Sequence, residues 1–231
     1  MTKTPAPQTK GEKTKERIRQ GVRNLLATRD FSDISIEDVV KETNVHVGSI
    51  YFHFKNKDGL MHSIAEEEIQ AFFAYFKDIE TENLFSAAFL YCWRSVQSQI
   101  YRYGNLRLTM WHLNQDPSNI EKSLAPYRQD LIERFAMLIA KASKRRDRRN
   151  QDLMLAELLV LGTENFLLKT PLQQKRRSPA QYQKVAFELA QTWYRAALGV
   201  APHSGAAKAD AKRIVAETKL LKRPAPLPPV N

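Results

Sequence analysis

The chain has 231 residues, 43% of them apolar and 26% charged. That balance suits one or two globular domains with a real core and excludes a disordered or fibrous chain. The formal charge of +11 and pI near 9.7 point towards polyanionic partners, with eleven Lys/Arg against seven Asp/Glu in residues 1–57 and six against two in residues 201–231. Cys92 is the only cysteine, which excludes an intramolecular disulfide and fits a reducing cytoplasm. No uncharged apolar run reaches bilayer-spanning length and MTKTPAPQTKGEK has no apolar signal-peptide core, so a cytoplasmic protein without a membrane partner is expected.

Residues 1–12, rich in Pro, Thr and Lys, read as a disordered basic arm. From Thr14 onwards Ile18, Val22, Leu25 and Leu26 fall on one face at helical spacing. Ser35 is placed as the N-cap of a second helix, with Asp38 as the acid three positions on in a variant of the capping box. That helix should run from Ile36 to Thr43 and stop at Asn44, a residue that tolerates the left-handed conformation of a tight turn.

The next stretch, NVHVGSIYFHF, has the β-branched and aromatic content of a strand. Its context decides otherwise. After a short capped helix and a tight turn, Val45–Phe54 reads as a second short helix, with Val45, Ile50 and Phe54 inwards and Val47, Ser49, Phe52 and His53 outwards. Gly48 disfavours an isolated helix by about 1 kcal/mol and suits a place where the backbone approaches another surface. Two short helices around a tight turn make a helix-turn-helix, whose second helix enters the DNA major groove.

Beyond Asp58, longer helices are expected at Leu60 to about Lys77, 83–103, 105–114, 118–144 (with Pro126 inside), 152–169 and 179–199. The cluster KRRDRRN at 144–150 reads as a solvated turn, and the tail from Ala201 as disordered or weakly helical. The fold class is all-α. Residues 13–58 form the N-terminal three-helix DNA-binding domain, 59–200 a C-terminal helical effector-binding and dimerisation domain, and 201–231 a tail.

Residues 14–64, TKERIRQGVRNLLATRDFSDISIEDVVKETNVHVGSIYFHFKNKDGLMHSI, resemble the DNA-binding domain of the TetR family of bacterial transcriptional regulators. The most specific part is GSIYFHFKNKDGL at 48–60, where the family usually shows a Gly-Thr-Leu-Tyr-x-His-Phe core and a Lys leading into helix four. The resemblance implies operator contacts by Ser35 with its helix N-terminus, by Val47, Gly48, Ser49 and His53 at the groove, and by Tyr51 and Lys57 at phosphates. His46 and Val47 stand where relatives commonly hold a small polar residue and a Lys or Arg. Base recognition is therefore expected to rest on few direct contacts, the basic arm and DNA shape.

In relatives the last two core helices pair with their copies in a second subunit, which implies a homodimer on a pseudo-palindromic site. Leu158, Gly162, Phe166, Leu189, Trp193 and Ala197 are the candidate dimer contacts. For a small-molecule effector, Phe89, Trp93, Met110, Trp111 and Phe135 are candidate walls, and their aromatic character favours an apolar or amphipathic molecule. The five histidines form no HxxxH or HExxH, and CxxC, P-loop and G-x-S-x-G motifs are lacking, so neither an enzyme nor a metal or cofactor is expected. A ligand-released repressor, nucleoid-associated when bound, is the favoured function. A DNA-bound structural or cell-division protein acting through a protein partner, or a regulator without a ligand, would use the same scaffold.

Overall fold

The computed structural model describes residues 9–26, 28–29, 33–101, 117–144, 148–169 and 178–218. The helix expected at 105–114, with Met110 and Trp111, lies outside them, as do residues 1–8 and 219–231. The described residues are helical and contain no strand. The elements are α1 (Lys10–Leu26), α2 (Ile36–Thr43), α3 (Val47–Phe54), α4 (Lys57–Phe73), α5 (Leu84–Tyr101), α6 (Pro117–Ser143), α7 (Arg149–Lys169), α8 (Pro179–Leu198) and α9 (Ser204–Glu217). They fall into two compact units whose boundary, after Glu68, lies inside α4. No described helix is long and apolar enough to cross a membrane.

The first unit is a small core built from short helices. Ile18, Val22 and Leu26 of α1 are buried, as are Ile34, Val39, Val45, Ile50, Phe54, Leu60 and Ile64. The first helix starts at Lys10, inside the segment expected to be an arm. Thr9 explains the difference: its hydroxyl accepts from Glu12 N–H at 3.2 Å and its own N–H donates to the Glu12 carboxylate at 2.6 Å, a reciprocal cap the hydrophobic pattern did not reveal. Gly21 lets α1 lie close on α2, since a Cβ there would overlap the Thr43 methyl. Arg19 ties α1 to the middle of α4 through Glu67 at 2.5 Å and Ser63 at 2.9 Å, and Arg23 bonds to the same Glu67.

The second unit is organised round α5, a helix buried along most of its length, on which α6, α7, α8 and α9 pack. Trp193 on α8 meets Phe135 on α6 at 4.7 Å and Tyr91 on α5 at 5.4 Å between ring centroids. Ser178 and Gln181 form a capping box at the start of α8, Pro179 takes its first turn, and Gly199 ends it at φ 73°. Within the tail expected to be disordered or weakly helical, Ser204–Glu217 form the regular helix α9. Its Ala207, Ala211 and Ile214 are buried. Asp210 accepts from Asn83 and Ser86, Arg213 pairs with Glu82, and Thr218 just beyond the helix accepts from Trp93 Nε1. The cluster at 144–150 is shortened too, because Arg149 and Asn150 already belong to α7.

Candidate nucleic-acid interface

The helix-turn-helix forms through local bonds that the sequence encodes. Ser35 Oγ accepts from Asp38 N–H at 3.1 Å and donates to Asp38 Oδ2 at 2.8 Å, and Ser35 N–H donates to the same oxygen at 2.9 Å. Arg29 adds a bond to Asp38 at 3.0 Å. The Ser35 N–H, then Arg29 and the Ser35 hydroxyl, hold the Asp38 carboxyl well below the usual carboxylate range. The Ser35 hydroxyl is thus engaged in its own cap. What this end of α2 offers a phosphate is the set of first-turn N–H groups that a cap leaves over. Asn44 then turns the chain at φ 51°, ψ 38°.

His46 supplies the start of α3. Its Nδ1 accepts from Gly48 N–H at 3.2 Å, so the imidazole does what Ser or Asp usually does at an N-cap. Gly48 acquires a reason within the chain, because a Cβ there would crowd that ring at 3.3 Å. The unusual His46 of this chain is therefore a structural cap.

Past Phe54, Asn56 N–H donates to the Phe54 carbonyl at 2.7 Å across Lys55, which sits at φ 65°, ψ −50°. That is a γ-turn of the rare, strained hand. Asn56 Oδ1 then caps α4 by accepting from Gly59 N–H at 2.7 Å, and Gly59 carries no Cβ because one would overlap the Phe54 carbonyl. Four of the five KNKDG residues are thereby accounted for: a strained turn that exposes Lys55, the cap Asn56, the first α4 residue Lys57, and a glycine forced by contact.

Ile50 and Phe54 face the core, Val47 and Tyr51 are 39% and 48% exposed, and Gly48 is exposed. Ser49 and Lys57 are half-buried. His53 is also half-buried and borders Gly11 of α1, at the edge of the surface. The structure thus brings Val47, Gly48, Ser49 and Tyr51 onto one helix, with Lys57 opening the next. It also reveals Phe52, 83% exposed and absent from the candidate list. Helical spacing from Ile50 and Phe54 carried that signal, since a residue midway between two buried positions four apart must point outwards. No Asp or Glu lies between Asn44 and Lys57.

An exposed short helix after a tight turn, free of carboxylates and followed by Lys55 and Lys57, has the form of the DNA-reading helix of a helix-turn-helix protein. Residues 18–64 match the model of the bacterial regulatory proteins of the tetR family. A Haemophilus influenzae "Uncharacterized HTH-type transcriptional regulator" is 30% identical over 82 residues, 35% of this chain and 44% of that one. The Bacillus subtilis "Probable HTH-type transcriptional regulator YttP" is 24% identical over 202 residues, covering 79% of this chain and 92% of the relative. The fold is shared with the TetR family protein CprB from Streptomyces coelicolor A3(2), at a TM-score of 0.57 and 19% identity over 91% of this chain and all of that one. Residues 18–64 are thus a DNA-binding domain of the tetR family of bacterial regulatory proteins.

The second unit places the remaining candidates. Phe89, Trp93 and Phe135 are at most 1% exposed. Phe89 stacks with Phe85, Phe135 meets Tyr91 and Trp193, and Trp93 bonds to Thr218. They fill the core, and none of them lines the cleft of about 410 Å³ between α6 and α7. That cleft is mixed: Arg128, paired to Glu164 at 3.3 Å, lies with Gln129, Glu157 and Asn165 beside the apolar Ala125, Ile132 and Leu161. Tyr91 donates to Glu164 at 3.3 Å; burial, then the Glu164 charge, pushes its phenol well above its ordinary range. Gln97 is fully buried on α5, its Oε1 accepting from Arg94 at 3.2 Å while its Nε2 makes no hydrogen bond among the described residues.

Of the dimer candidates, Leu158 and Phe166 are 63% and 47% exposed, and Gly162 between them is open. With Met154 they form a stripe at intervals of four along α7. Leu189 and Ala197 are half-buried. Trp193 is 2% exposed and donates to Thr163 Oγ1 at 2.9 Å, so it belongs to the protomer core and is unavailable to a second subunit.

Proposed function

We propose that this regulator is a repressor that binds a pseudo-palindromic operator as a homodimer and is released by a small amphipathic molecule. The observation that carries the reading is the carboxylate-free, outward face of α3, with Tyr51 beside it and Lys55 and Lys57 at its end. Tyr51 and Lys57 hold phosphates, which fixes the register, while Val47, Gly48 and Ser49 lie at the base edges. The α2 N-terminus adds backbone N–H groups to a phosphate of the neighbouring strand.

The exposed α7 stripe of Met154, Leu158, Gly162 and Phe166 supports the homodimer, since a contiguous apolar row on a helix favours a partner surface. Gly162 admits close helix approach there. The unused Gln97 Nε2 in the apolar second unit supports an effector that combines an apolar body with a hydrogen-bond acceptor. Release follows when the effector favours a state in which the two recognition helices no longer match successive major grooves, about 34–36 Å apart.

The test is selection of binding sites by the full chain from a random duplex library, followed by screening of amphipathic metabolites for loss of the selected complex. A two-fold symmetric enriched site supports the reading. An enriched site without symmetry removes the dimer from it, and no metabolite effect removes the ligand.

A further inference from the structure

We propose that Phe52 is a sequence-reading residue whose ring packs on the 5-methyl group of a thymine in the major groove. The inference rests on the DNA-binding reading above and deepens it. Phe52 is the most exposed large apolar side chain among the described residues, at 83%. With about 100° per residue it lies roughly opposite the midpoint of Ile50 and Phe54, the two buried positions of α3. It therefore marks the centre of the face that is furthest from the core. The neighbours on that face are Gly48, which has no side chain, and Ser49, which has a short one. The phenyl ring thus projects beyond them, and among the described residues His53 meets it edge-on, with ring centroids 5.1 Å apart.

The occupant follows from chemistry. A phenyl ring carries no donor or acceptor, so it cannot use the hydrogen-bonding pattern of the groove floor. The one apolar group that an unmodified base pair presents in the major groove is the thymine methyl. The surroundings are cationic and polar, with Lys55 exposed at the end of the helix and no carboxylate between Asn44 and Lys57. That setting attracts a polyanion. A large apolar side chain in such a place gains from DNA only where a methyl is offered, which makes it a discriminator between bases and a poor general anchor.

Each thymine of the duplex selected by the full chain is replaced in turn by deoxyuridine, which removes the methyl alone. At one thymine in each half-site the wild type loses about fourfold in affinity, the worth of one buried methyl group. Phe52→Ala binds the thymine and uridine duplexes equally, with a thermal midpoint close to that of the wild type because the ring is 83% exposed. Phe52→Leu keeps a reduced preference. If no thymine shows the loss, or if Phe52→Ala discriminates as the wild type does, the assignment is wrong. A chain that enriches no duplex at all overturns the DNA-binding reading and this inference with it.

Discussion

Two of the described helices each expose several large apolar side chains. On α3 these are Val47, Tyr51 and Phe52; on α7 they are Met154, Leu158 and Phe166. By exposure alone the two surfaces are alike, and either could be read as a docking site. What separates them is the company each keeps. The α3 residues share their helix with Gly48, Ser49 and His53 and lead to Lys55 and Lys57, with no acid among them. The α7 residues alternate with Glu157, Glu164 and Asn165, and they recur every fourth position as a continuous row. Apolar exposure says that something binds. The charge around it says whether that partner is a polyanion or another helix.

The comparison can be broken from either side. Leu158→Arg combined with Phe166→Arg places two charges in the proposed helix-helix contact and should give a monomer at micromolar concentration by sedimentation. Operator affinity then falls sharply because one half-site is left to hold the complex, although the first unit is untouched. A variant that still sediments as a dimer would move the interface away from α7. Next in size, Gly21→Val drives a branched side chain into Thr43 where α1 crosses α2. It should cost about 1–3 kcal/mol in thermal or urea unfolding and weaken DNA binding, while the dimer persists.

Acid offers a gentler separation. Asp38 holds its carboxyl below the usual range when folded, so its contribution is present above the unfolded value and is lost as pH falls through the folded one. Stability of the helix-turn-helix should therefore decline below about pH 4. Asp38→Asn should begin less stable at neutral pH and lose less on acidification, as followed by circular dichroism. An unchanged acid profile in the variant would show that Asp38 does not carry the effect.

Much of the first unit was legible because its signals are local. The Ser35–Asp38 box, the Asn44 turn and the Asn56 cap each involve residues within four positions of one another. The same locality explains why a strand-like composition at 44–54 was correctly read as helix. His46 stood out in the sequence, but its capping role did not because imidazole is an uncommon N-cap, and Thr9 gave no signal because its box lies in a segment with the composition of a loose arm. The second unit was legible only in outline. What fixes α9 is Asp210 with Asn83 and Ser86, and Arg213 with Glu82, contacts across more than a hundred positions of sequence. An Ala- and Lys-rich segment before a Pro-rich end gave no hint of them. Trp193 was misplaced for a related reason: periodicity locates a helix face, but not which neighbour covers it.

The central claim is that α3 and the start of α4 hold DNA while the fold and dimer are independent of them. It is tested most directly by titrating the selected duplex with the full chain and with Tyr51→Ala/Lys57→Ala, using fluorescence anisotropy, alongside sedimentation of both. The double variant should lose at least about a hundredfold in affinity, the worth of two hydrogen bonds to charged phosphates, and should keep the wild-type thermal midpoint and mass. Wild-type affinity in that variant would contradict the account.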